Sequence, residues 1–149
     1  MLKRGYKGQN CSIARTLEIV GERWTLLIIR DVFLGLRRFD QLQESLGVAR
    51  NVLADRLNRL VAEGILERVP YSERPPRFEY RLTARGRELN LALTALRQWG
   101  DAHLSEKPPR LLRRKADRKA VIAGLVPRGA VVLRPEEVEL VPGPGWKTA

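Results

Sequence analysis

The sequence has one cysteine, one histidine and one methionine in 149 residues. A single cysteine closes no internal disulfide, and with one histidine it falls short of the three or four ligands of a zinc site, so disulfide scaffolds and zinc fingers are excluded. Long hydrophobic runs are lacking too. The longest uninterrupted aliphatic stretch covers residues 26–29, and residues 1–10 are polar and basic with no apolar run behind them. Neither a membrane span nor a secretory signal is expected, which points to the cytoplasm, where the lone thiol would stay reduced. Acid is scarce relative to base: 28 Lys and Arg face 17 Asp and Glu, for a net charge of +11 and a pI near 10.8. Polyanions are the natural partners of such a chain. No serine or cysteine stands with a histidine and an acid in a catalytic arrangement, so neither an enzyme nor a cofactor is expected.

The length suits one domain with a small appendage, and 44% apolar residues are enough for one core. Helical periodicity runs from Cys11 to about His103, and a Lys107-Pro108-Pro109 break then opens a tail rich in Val, Pro and Gly. The expected division is therefore residues 1–104 and 105–149. The tail is the more densely basic part, through Arg110, Arg113, Arg114, Lys115, Arg118 and Lys119.

Ile13, Leu17 and Val20 keep helical spacing up to Gly21. Residues 24–34 are apolar nearly all round, which predicts a central buried helix. After Gly35, Arg37 and Arg38 precede a short helix with Phe39, Leu42 and Leu46 on one face, and Gly47 and Val48 form a turn. A third helix is predicted over residues 49–63, with Leu53, Leu57, Leu60 and Val61 as its apolar stripe and Gly64 as its stop. Short helix, glycine turn and amphipathic helix are the layout of a helix-turn-helix. Residues 66–71 and 78–82 read as strands, and Pro75 and Pro76 between them should block further ladder pairing, leaving a stiff basic tip. Thr83 is placed to cap one last long helix over residues 84–103. It carries Leu89, Leu93, Leu96 and Trp99, so one face can pack on its own domain and the other on a partner chain.

The stripe of the third helix sends Asn51, Asp55, Asn58 and Arg59 to the opposite side, with Arg50 at the N-terminal end. These types suit base edges in a major groove: Asn pairs two ways with adenine, Arg with guanine, and Asp accepts from cytosine. Arg50, Asn51 and Asp55 are the expected readers. Arg56 and Arg59, at the flank or further along, suit phosphate, as do Arg37 and Arg38. Arg74 and Arg77 on the hairpin tip could enter a minor groove or meet flanking phosphates. The plain alternative is a solvated helix face and a solubilising turn.

These residues resemble the HxlR family of bacterial winged-helix transcription regulators, relatives of the MarR type, over about residues 11–104. The likeness is carried by Gly21-Glu22-Arg23-Trp24-Thr25-Leu26-Leu27-Ile28-Ile29-Arg30-Asp31, Arg38-Phe39-Asp40-Gln41-Leu42 and Leu53-Ala54-Asp55-Arg56-Leu57. It continues in Glu63-Gly64-Ile65-Leu66-Glu67-Arg68 and in residues 75–86. Ser12 follows Cys11 where the family often has proline, and Ala49 opens the recognition helix where a capping serine is frequent. The resemblance implies a mainly α, α+β winged helix-turn-helix with a long C-terminal dimerisation helix. It also implies a homodimer, more often a repressor than an activator, on a double-stranded DNA operator whose half-sites lie about 34 to 36 Å apart or a multiple of that. Leu89, Leu93, Leu96 and Trp99 would then form the dimer interface, and Trp24 would belong to the core.

Some members sense oxidants through an N-terminal cysteine. Cys11 is the matching candidate, since a helix start among Lys3, Lys7 and Arg15 favours thiolate; the alternative is a small packing residue. A small-molecule effector is equally compatible with the family. His103 reads as structural, or as a favourable charge at a helix C-terminus. In the tail, residues 121–126, 130–133 and 138–141 look like three short strands of a metal-free β element, similar to the zinc-ribbon-like extension of longer relatives. It would pack on the dimer or hold residues 110–119 against DNA. Two rival functions share the composition: a non-sequence-specific RNA-binding or chromosome-associated protein, and a dimeric ligand sensor without an operator.

Overall fold

The structure is a computed structural model that describes residues 5–6 and 8–147. Helix α1 (Ser12–Val20) ends at Gly21, whose N–H donates to the Leu17 carbonyl at 2.8 Å. Of its apolar stripe only Val20 is buried, while Ile13 and Leu17 face solvent. Helix α2 (Thr25–Phe33) is central, with Ile28, Ile29 and Val32 buried. It is less enclosed than its composition predicts, because Leu27 and Leu34 reach the surface. Trp24 precedes it as a half-buried N-cap in the left-handed region, φ +79°.

Asp31 on α2 is 1% exposed. A buried carboxylate is costly unless paired. Its Oδ1 accepts from Arg30 Nε at 2.8 Å and its Oδ2 from the Ser45 hydroxyl at 2.6 Å. The second bond ties α2 to α3 (Phe39–Leu46), where Gln41 Oε1 accepts from the Arg37 and Arg38 backbone N–H groups, each at 3.1 Å. Gly47 ends α3 at φ +61°, a conformation that glycine adopts without steric cost. Helix α4 (Arg50–Ala62) follows and buries Leu53, Leu57 and Leu60.

Strands β1 (Leu66–Glu73) and β2 (Pro76–Leu82) pair antiparallel from Leu66↔Leu82 to Glu73↔Pro76, with a bulge at Tyr71. Pairing thus runs further than the prolines were expected to allow. Pro76 is the first residue of its strand in a two-stranded ribbon, a position where a missing N–H is tolerated. The Tyr80 N–H donates to the Arg37 carbonyl at 2.7 Å, which fixes the ribbon beside the start of α3.

Thr83 caps α5 (Ala84–Arg87): its hydroxyl oxygen accepts from the Gly86 N–H at 3.0 Å and donates to the Gly64 carbonyl at 2.6 Å. The single long helix predicted over residues 84–103 is in fact two, α5 and α6 (Asn90–His103). Gly86 sits so close to the α4–β1 connection that a Cβ there would lie 2.1 Å from the Ile65 carbonyl oxygen. The first turn is therefore anchored to the winged fold, and glycine is itself a weak helix former; the ladder restarts at Leu89, whose carbonyl accepts from Leu93.

The described chain forms two compact units, one ending at Glu88 and one beginning at Leu89. Helix α6 groups with the extension rather than with the winged unit. Every buried apolar side chain among the described residues lies in the first unit, from Val20 to Tyr80. Burial of each such side chain contributes about 1.5–3 kcal/mol.

In the second unit, β3 (Arg110–Arg114) pairs antiparallel with β4 (Val138–Pro142), which a short 3-10 turn at Pro135–Glu137 precedes. Of the three predicted tail strands only the last is one. The partner of β4 is the segment read as basic linker. Residues 121–126 and 130–133 run without a ladder, because Gly124 and Pro127 interrupt them and a side chain, Gln98, takes the place of a neighbouring strand. Its amide accepts from the Ala123 N–H at 2.9 Å and donates to the Ala123 carbonyl at 3.1 Å.

Candidate nucleic-acid interface

Helix α4 is anchored by Leu53, Leu57 and Leu60 and exposes Arg50, Asn51, Asp55 and Asn58. No side chain caps its start at Ala49 and no acid occupies its first turn. Its first N–H groups and the positive end of its dipole are therefore open to an anion. The Arg50 guanidinium lies over the Phe39 ring, 4.7 Å from the centroid, so α3 steadies the first side chain of the exposed face.

Arg56 and Arg59 turn the other way. Arg56 Nη1 pairs with Glu22 at 2.9 Å and its Nε donates to the Arg23 carbonyl at 3.2 Å. Arg59 pairs with the same Glu22 at 3.3 Å and donates to the Glu18 carbonyl. Both brace α4 against the end of α1, and Arg56 Nη1 also donates to the Asp55 carboxylate, which ties that exposed acid to the brace, whereas neither arginine engages Asn51 or Asn58. Glu22 is the residue that sequence reasoning missed here; an acid between two helices and two arginines three apart was the available signal.

Of the two arginines before α3, Arg37 is exposed with no ion-pair partner among the described residues. Arg38 is held by the β1–β2 ribbon, 4.4 Å from the Tyr71 ring centroid and 3.8 Å from Glu79. Arg68 lies 4.2 Å from the Phe78 centroid on the same ribbon, a stack that only the strand register reveals. Arg74 and Arg77 are exposed at the tip, without an ion pair among the described residues. The winged unit thus carries an uncapped helix start, a polar helix face and a basic ribbon tip.

Cys11 is exposed at the N-cap of α1, not packed. Arg15 donates to Asn10 Oδ1 at 3.3 Å, while Lys3 and Lys7 lie outside the described residues. Leu89 at the N-cap of α6 and Leu93 within it are half-buried and Leu96 and Trp99 are exposed; the His103 ring lies 4.9 Å from that of Trp99. Among the described residues no three His, Cys, Asp or Glu side chains are grouped to hold a metal, and no helix is long and apolar enough to cross a membrane.

The family model described as HxlR-like helix-turn-helix matches residues 19–108. The chain belongs to the HxlR-like family. An uncharacterised HTH-type transcriptional regulator of Mycobacterium tuberculosis is 52% identical over 114 residues, which are 75% of this chain and 71% of that protein. The crystal structure of PA1607, assigned as a transcription factor, superposes with a TM-score of 0.72 at 41% identity, covering 88% of this chain and 94% of that one. That coverage exceeds what the winged unit alone supplies, so the likeness enters the extension. The redox regulator HypR in its oxidised form is similar at 28% identity and a TM-score of 0.59, over 64% of this chain and 99% of that one. This HxlR-like chain is a DNA-binding transcriptional regulator of the winged helix-turn-helix, MarR-like kind, and its relatives are regulators, not enzymes.

Proposed function

We propose that the chain is a cytoplasmic, sequence-specific regulator, a repressor in its commonest mode, that binds a two-half-site operator as a homodimer. The observation that carries the reading is the polar face of α4, Arg50, Asn51, Asp55 and Asn58, standing over a fully buried leucine stripe with an uncapped start. Asn51 and Arg50 read base edges, Asp55 and Asn58 extend the contact, and Arg37, Arg74 and Arg77 meet phosphate. Arg56 and Arg59 act chiefly as braces. Exposed Leu96 and Trp99 on α6, with Leu89 and Leu93 beneath, supply the dimer face. Residues 1–104 serve as the binding and dimerisation part and 105–149 as an accessory.

Selection of duplexes from a random library tests this, followed by titration of the winner against scrambled duplex and RNA at two salt concentrations. A palindromic motif preferred by roughly 10³-fold or more is expected. Asn51→Ala should cost about 1–3 kcal/mol, confined to one base position. Binding without an enriched motif, falling away in salt, would mean a non-specific nucleic-acid protein instead.

The exposure of Cys11 favours a second layer, redox control of the same site. Diamide should then lower operator affinity, and a Cys11→Ser protein that responds like wild type would sink the idea.

A further inference from the structure

Residues 121–134 lie within the connection between the two strands of the C-terminal ribbon and are the most apolar exposed stretch of the described chain. Leu125 is 106% exposed and Val131 101%, and Ile122, Val126 and Val132 are exposed as well. Lone exposed apolar residues are ordinary, but a contiguous set marks an interaction surface. The backbone is equally open. Among the described residues the N–H groups of Ile122, Leu125, Val126, Val131, Val132 and Leu133 have no acceptor, while a turn in which Ala130 N–H donates to the Pro127 carbonyl at 3.1 Å folds the segment into an out-and-back arm.

The arm is rooted beside a second unpartnered surface. Gln98 grips both backbone groups of Ala123, and the next residue on α6, about 100° round the helix, is Trp99. With Leu91 and Leu96, which lie within about 80° of it on either side, Trp99 forms an exposed apolar face. We propose that residues 121–134 are a clasp that docks on the α6 face of a second copy of this chain. The inference rests on the homodimer reading above and gives it a further contact.

Two quantities favour a second copy as the occupant. A stable interface takes about 20–30 residues from each partner, and one face of the 14-residue helix α6 supplies well under half of these; the arm makes up the shortfall. Beyond the anchor at Ala123 its outward limb is residues 124–127, which reach at most about 14 Å, a little more than the width of a helix with its side chains. In a two-fold dimer built on α6, whatever is attached at Gln98 lies beside the partner's equivalent face, so both clasps close at once.

The test is sedimentation velocity across a dilution series on the full chain and on a Leu125→Ser, Val131→Ser, Val132→Ser variant. These three side chains are exposed in the protomer, so circular dichroism should be unchanged. The variant's dimer dissociation constant is expected to be at least tenfold larger than that of wild type. In parallel, deuterium exchange of the arm in wild-type protein should show protection that disappears on dilution to monomer. A wild-type chain that is monomeric throughout the micromolar range overturns the homodimer and the clasp together. A wild-type dimer with an equally stable variant, or with arm amides that exchange freely in the dimer, overturns the clasp alone. Arm protection appearing only when duplex is added assigns the arm to DNA and likewise overturns it.

Discussion

The β1–β2 ribbon holds Arg74 and Arg77 at its tip with no carboxylate partner among the described residues, whereas the β3–β4 ribbon commits its arginines internally. Arg114 pairs with Asp117, Arg118 with Glu139, and Arg113 donates to the Arg118 carbonyl at 3.1 Å. Both ribbons are basic and two-stranded, and by charge alone the second is the better candidate for a polyanion. Pairing reverses that order. The ribbons differ equally in their support: β1 starts at Leu66, 1% exposed, while no residue of β3 or β4 is fully buried.

The contrast predicts its largest effect in stability. Leu66→Ala should destabilise the winged unit by about 2–5 kcal/mol, and Leu112→Ala, at a half-buried position of β3, should cost well under half of that; urea denaturation of both measures it. Equal losses would mean that the second unit holds a core of its own.

Next comes DNA affinity. Arg74→Ala with Arg77→Ala should weaken binding to all duplexes about equally and flatten the salt dependence by about 0.9 in log–log slope per lost phosphate contact. Arg114→Gln with Arg118→Gln should leave that slope as in wild type. A slope that flattens for the second pair instead would exchange the roles of the two ribbons.

The smallest effect is with pH. The hydrogen bond from Arg114 holds the Asp117 carboxyl below the usual carboxylate range, and the Arg134 backbone N–H does the same for Glu137. A carboxyl with a depressed pKa adds stability above its unfolded value and loses it as pH falls through the folded one. Amide resonances of Arg110–Arg114 should therefore shift as pH drops below about 4, and resonances that stay fixed there would show that these pairs do not hold the ribbon.

The winged unit was legible because its signals are local and agree: leucine spacing for α4, a glycine turn before it, alternation at Phe78 and Tyr80. The extension was not. Residues 121–126 have strand composition but no strand to pair with, and the RLLRR run that became β3 looked like linker because its partner lies 24 residues further along the chain. In the site, helical periodicity put Asn51, Asp55 and Asn58 on the exposed face. It could not show that Arg59 reaches back to Glu22, since a long side chain's destination depends on a tertiary neighbour. The split between α5 and α6 was hidden for the same reason, the close approach of Gly86 to Ile65 being invisible in one dimension.

Helix α4 divides its work between faces: the outward positions 50, 51, 55 and 58 bury none of the core, touching the rest of the fold only where Arg50 lies over Phe39 and Asp55 pairs with Arg56, while Arg56 and Arg59 secure the other flank to Glu22. Exchanging the outward set changes little that the core depends on, so operator preference is free to drift among descendants without a toll on folding. The same separation makes the helix a practical graft site, where a new recognition sequence can be written over residues 50, 51, 55 and 58 while the brace and the leucine stripe stay as they are.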